Sequence, residues 1–94
     1  MKYRRCFVSG RVQGVGFRWA CVTAANQAGV SGWTRNLPDG RVEVLAHGTD
    51  GELDSLARWL ESGPAGARVE HLEIIDEHSD VRDASWPRDF VIRR

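Results

Sequence analysis

Two helix-period stretches set among strand-like runs, a Pro-Asp-Gly reversal between the second and third of those runs, and a capping signal ahead of the second helix predict an α+β fold. The order of elements is β-α-β-β-α-β, with a short extra strand at the C-terminus. This is the split βαβ pattern of a ferredoxin-like sandwich, in which two helices cover one face of an antiparallel sheet. At 94 residues the chain is expected to form a single domain, 1–94, with one core.

The first strand runs from Tyr3 to Ser9. Alternation puts Arg4, Cys6 and Val8 on one face and Tyr3, Arg5, Phe7 and Ser9 on the other, with Cys6 and Val8 directed to the core. From Phe17 to Ala28 the residues Phe17, Cys21, Ala24, Ala25 and Ala28 recur at helical spacing, and Gly29 ends the helix. Ser31–Asn36 and Arg41–His47 read as a hairpin closed by Leu37-Pro38-Asp39-Gly40, whose composition favours a tight reversal.

Thr49-Asp50-Gly51-Glu52 carries the spacing of a capping box, and Leu53, Leu56, Ala57 and Leu60 then follow on one helical face up to Gly63-Pro64. Arg68–Asp76, with Val69, Leu72, Ile74 and Ile75, reads as a fourth strand, and Phe90-Val91-Ile92 as a short fifth. The polar stretch Glu77–Asp89 between them is expected to be a surface loop anchored by Trp86-Pro87.

Charge and composition narrow the function classes. Thirteen basic and thirteen acidic residues give a formal net charge of zero, so no global field steers the chain toward nucleic acid or an anionic membrane. Any preference for anions must be local. Lys2 is the only lysine, a bias that genome base composition accounts for. No apolar run approaches the length of a membrane span and the N-terminus lacks a signal-peptide core, which makes the cytoplasm the expected location.

Cys6 and Cys21 are spaced like neither a zinc site nor a redox pair and read as small buried residues; a disulfide between them is disfavoured in a reducing compartment. His47, His71 and His78 have no carboxylate spacing typical of a metal site.

Gly10-Arg11-Val12-Gln13-Gly14-Val15-Gly16-Phe17-Arg18 is the most informative segment. Its glycines let the backbone turn sharply between a strand and a helix. Successive N–H groups of Val12, Gln13, Gly14, Val15, Gly16 and Phe17 can then form an anion-binding concavity with the helix N-terminus. Arg18, in the first helical turn, can fork onto the same oxyanion. The alternative for Arg18 is a solvated side chain after a strand-to-helix connection. Asn36, read from its neighbours alone, is a turn residue ahead of Leu37-Pro38.

The Gly10–Arg18 segment, followed by Gly32, Trp33, Arg35, Asn36, Gly40, Val42 and Gly48, resembles the acylphosphatase family, and further similarity runs through Trp59-Leu60 to Phe90-Val91-Ile92-Arg93. Thr34 departs from the family pattern, where a small apolar residue or cysteine usually stands, a change expected to affect packing. The resemblance implies the same ferredoxin-like fold, hydrolysis of acyl phosphates to carboxylate and inorganic phosphate, and no cofactor or metal. It assigns the catalytic roles to Arg18, on the phosphate, and Asn36, on the attacking water.

That reaction needs few groups. The carboxylate that leaves when the P–O bond breaks has a conjugate acid of pKa about 4 to 5, so no general acid is required at neutral pH. Phosphoryl transfer mainly asks for positioning and charge stabilisation.

Other residues near the motifs are expected to be structural. Arg11 and Arg35 adjoin the site in sequence, but Arg35 should point away from Asn36 across the strand. Trp33, Trp59 and Phe90 read as packing, whereas Trp19 either lines the rim above the phosphate or packs under the helix. The competing class is an RNA-binding module using Tyr3 and Phe7 as exposed sheet aromatics, against which the neutral charge argues. The expected partner is a small-molecule acyl phosphate, with no nucleic acid or membrane, and the expected state is a monomer.

Overall fold

A computed structural model describes residues 1–93 and gives the order β1 (Lys2–Arg11), α1 (Phe17–Ala28), β2 (Ser31–Asn36), β3 (Val42–Gly48), α2 (Asp50–Ser62), β4 (Arg68–Glu77) and β5 (Phe90–Ile92). Each element is where periodicity places it, with ends shifted by one or two residues. The sheet order is β4-β1-β3-β2-β5. The first four strands pair antiparallel, for example Cys6 opposite both Val44 and Ile74.

The fifth strand modifies the expected antiparallel sheet: β5 lies parallel to β2, with Thr34 opposite Ile92, so the complete sheet is mixed. Connectivity is the reason. The chain leaves β4 beside Tyr3, passes Ser31 at the same end of the sheet, and enters β5 from there, so β5 must run opposite to β4.

The core lies between the sheet and the two helices. Val8, Cys6, Val42, Val44 and Ala46 meet Phe17, Cys21 and Ala25 from α1 and Leu53, Leu56 and Leu60 from α2. Phe90, 1% exposed, closes this layer from β5. Asn26 of α1 fixes that strand by accepting a 2.9 Å hydrogen bond from the Phe90 N–H and donating to its carbonyl at 3.4 Å. Arg4 shares the helical face but stays charged, held by Asp54 of α2 at 2.9 Å and Asp76 of β4 at 2.8 Å.

The capping box of α2 is present in both directions: the Thr49 hydroxyl accepts from the Glu52 N–H at 3.2 Å and the Glu52 carboxylate accepts from the Thr49 N–H at 2.8 Å. Cys6 and Cys21 are free thiols in the core. Burial pushes both up to about 12, which makes them unreactive packing residues at neutral pH. Thr34 is fully buried and donates its hydroxyl to the Glu43 carbonyl at 3.0 Å, so the polar atom introduced there has a partner.

The face of the sheet away from the helices is roofed by guanidinium groups. Arg35 and Arg93 lie over Trp33 at 4.9 and 5.2 Å, Arg41 over Phe7 at 4.6 Å, and Arg82 over Tyr3 at 5.8 Å. Tyr3 is therefore buried and Phe7 half-buried, contrary to their expected exposure. Glu43 sits beneath Arg5 and Arg35 and bonds both. Trp86 anchors the 78–89 connection as expected, donating to the Ser31 hydroxyl at 3.1 Å and presenting its edge to Tyr3 and His47. No helix among the described residues is long and apolar enough to cross a membrane.

Candidate active site

The loop from Val12 to Gly16 leaves β1 at the end of the sheet where β2 finishes and β3 begins. Two apolar side chains pin it: Val12 and Phe17 are each 1% exposed in the core, and Val15 packs against the same cluster. Between these pins Gly14 and Gly16 adopt φ of 75° and 76°, a left-handed conformation that costs other residues free energy and turns the chain into α1. Gly16 is the N-cap and supplies no side-chain acceptor. Among the described residues, the N–H groups of Gln13 to Phe17 make no hydrogen bond to protein acceptors. They are donors held in place by buried side chains, beside the positive end of a helix dipole.

The Gln13 side chain completes the loop's attachment, a role the sequence reading missed by treating this residue as backbone only. Its Nε2 donates to the carbonyls of Leu37 at 2.8 Å and Arg41 at 3.0 Å, the two ends of the β2–β3 turn. The loop is thereby tied to the residue immediately after Asn36. No sequence signal pointed to this bond, because it depends on two segments 24 residues apart meeting at one end of the sheet.

Arg18 stands in the first turn of α1, half-buried. The other guanidinium groups that are buried or half-buried, on Arg4, Arg5, Arg35, Arg41 and Arg93, each pair with a carboxylate. Arg18 is the exception among the described residues. A half-buried cation without an anionic partner, next to unpaired amide donors, is complementary to an oxyanion. Arg18 shares a cavity of about 340 Å³ with Ile92 of β5, and Ile92 is paired with Thr34, two residues before Asn36. Arg18, the glycine loop and Asn36 therefore converge on one end of the sheet.

Asn36 is half-buried, and its Oδ1 is buried without a hydrogen-bond partner among the described residues. An orphaned buried acceptor costs on the order of 1–3 kcal/mol. It belongs to the residue before Leu37, whose carbonyl Gln13 of the loop holds, and it can accept from a water molecule. Arg35, as alternation predicts, points to the opposite face, where its Nε donates to Glu43 at 2.7 Å. Arg11 is exposed.

The histidines lie elsewhere. His47 is five residues along β3 from Val42, roughly 17 Å from the site end, and stacks on Tyr3 at 4.3 Å. His71 is exposed on edge strand β4, and His78 follows that strand at the far end. Among the described residues, no three His, Cys, Asp or Glu side chains come together in a group that could hold a metal ion.

Trp33, Trp59 and Phe90 are packing residues, Trp33 between its two arginines, Trp59 against Phe17 at 5.5 Å and Phe90 in the core. Trp19 does not pack under the helix: its indole is 75% exposed, at the mouth of the Arg18 cavity.

Comparison with known proteins places this arrangement among relatives. A family model described as acylphosphatase matches residues 4–92. The acylphosphatase of Synechococcus sp. (strain WH7803) is 59% identical over 89 residues, which cover 95% of this chain and 84% of that protein. Among solved structures, the acylphosphatase from Bacillus subtilis superposes with a TM-score of 0.89 at 33% identity, covering 100% of both chains. The acylphosphatase from Coxiella burnetii does so with a TM-score of 0.85 at 35% identity, covering 98% of this chain and 92% of that one.

Proposed function

The chain belongs to the acylphosphatase family of hydrolases, which act on carboxyl–phosphate mixed anhydrides, and we propose that Arg18 and the backbone amides of Val12 to Phe17 bind the substrate phosphate while Asn36 positions the attacking water. The observation that carries this reading is the half-buried Arg18 guanidinium, without a carboxylate partner among the described residues, at the start of a helix whose first amides are also unpaired among them.

In the reaction, water adds to phosphorus as the bond from phosphorus to the acyl oxygen breaks. The acyl oxygen departs as a carboxylate with the bonding pair, and the water's proton is released as inorganic phosphate forms. A carboxylate leaving group needs no proton from the protein at neutral pH. The protein's task is to hold the phosphoryl oxygens and align the water.

The loop amides and Arg18 are donors aimed at charge that spreads over the equatorial oxygens in the transition state, and the pins at Val12 and Phe17 fix them before substrate arrives. The Asn36 Oδ1 suits a water proton, and its Nδ2 offers a donor to a phosphoryl oxygen. No side chain need form a covalent bond to phosphorus in this scheme.

Turnover of benzoyl phosphate by wild type and Arg18→Ala, both shown to be folded by circular dichroism and both assayed in excess chelator, tests the assignment. Removal of one oxyanion donor costs about two to three orders of magnitude in kcat. Arg18→Ala is expected to lose at least that much, since a formal charge is deleted with the donor. Near-wild-type turnover by the folded variant would overturn the site. We further propose a cytoplasmic monomer, on the small size of the chain and the covering of the open sheet face by arginine side chains.

A further inference from the structure

The substrate's acyl group must lie beside the phosphate site, and the chain offers a distinct surface for it. The cavity that contains Arg18 is otherwise lined by Trp19 and Val22 of α1 and by Phe90, Val91 and Ile92 of β5. Its volume, about 340 Å³, exceeds what a phosphate needs and accommodates a ring-sized acyl group alongside it.

Trp19 is the unusual member. The other three tryptophans are covered: Trp33 by two arginines, Trp59 by Phe17 and Trp86 by Tyr3 and His47. Trp19 has no aromatic or cationic partner among the described residues and is 75% exposed. On β5, Phe90 and Ile92 share the helical face, opposite Gly32 and Thr34, while Val91 is in register with Trp33 on the other face. The most open of the tryptophans and, among the described residues, a guanidinium without a carboxylate partner therefore lie at one cavity.

We propose that this cavity is the acyl subsite and that Trp19 is a specificity-determining residue selecting acyl phosphates with an aromatic or large apolar acyl group. The proposal rests on the phosphate being bound at Arg18. With the phosphate there, the acyl carbon is one bridging oxygen away from phosphorus, and its substituent extends over the indole and against Val22 and Ile92. A planar aryl group gains offset stacking on the indole as well as apolar burial, whereas a methyl group reaches little of either surface. Because Trp19 contacts the part of the substrate that does not change charge, its contribution belongs to binding and appears in KM.

The test compares benzoyl phosphate and acetyl phosphate as substrates of wild type, Trp19→Ala, Trp19→Phe and Arg18→Ala. Trp19→Ala is expected to lower the ratio of kcat/KM for benzoyl over acetyl phosphate roughly tenfold, through KM for the benzoyl substrate, and Trp19→Phe to restore most of it. The exposed position of Trp19 lets both variants fold, which thermal unfolding verifies. An unchanged ratio in Trp19→Ala, with Arg18→Ala inactive on both substrates, would overturn the acyl subsite and leave the phosphate site standing. Full activity of Arg18→Ala on both would overturn the phosphate site and the subsite with it.

Discussion

The roles proposed for Arg18 and Asn36 differ in chemistry: one is a fixed positive charge, the other a neutral amide with a buried acceptor. Their substitutions should therefore separate. Asn36→Ala removes the proposed water acceptor and one neutral donor to the phosphate but leaves Arg18 and the loop amides, so kcat should fall by about two orders of magnitude while competitive inhibition by inorganic phosphate persists. A parallel loss of phosphate inhibition would assign Asn36 to binding instead. Arg18 was legible because its distance from the glycines places it in a first helical turn. Asn36, read without the family, was only a turn residue. Its orphaned oxygen and the Gln13 bonds beside it depend on where the β2–β3 turn sits in space.

The two helices begin in opposite ways. Helix α2 is closed by a complete capping box, while α1 begins at a glycine without a side-chain acceptor and keeps its first amides open. Stability is invested in the helix that has no part in the site. Thr49→Ala is expected to cost about 1 kcal/mol. For a chain of this size that lowers the melting midpoint by roughly 4–8 °C, measurable by calorimetry, with kcat unaffected. A midpoint within a degree of wild type would mean that Glu52 alone satisfies the end of the helix. This box, the Pro-Asp-Gly reversal and both helical faces were readable locally, because each depends on residues within about four positions of one another.

Across the whole molecule, arginines that look like a compositional bias cover the aromatic face of the sheet, which removes the stacking platform that an RNA-binding reading requires. At the end of the sheet remote from the site, His47 lies between Tyr3 and Trp86. Burial there, reinforced by Arg82 and the N-terminal amine, holds its imidazole below its usual value near 6.5. The folded protein thus binds this proton less readily than the unfolded chain. Stability from the neutral ring is complete above the unfolded pKa and is lost as pH falls from there through the lower folded pKa. The melting midpoint should decline from pH 7.5 to pH 5.5, and His47→Phe should flatten that decline. An equal slope in the variant would assign the effect to other groups.

Local sequence sufficed for the helices, the hairpin, the strand faces and the segment proposed to bind the phosphate, because each follows from local periodicity, turn chemistry or closely spaced glycines. Tertiary structure decided what depends on distant segments meeting. The direction of β5 follows from the route of the 78–89 connection, and the burial of Tyr3 from His47, Trp86 and Arg82, supplied by other segments. The fate of Trp19 was open in the sequence for the same reason: whether an indole beside Arg18 is covered or left at a cavity mouth depends on where β5 lies, 71 residues or more farther along the chain.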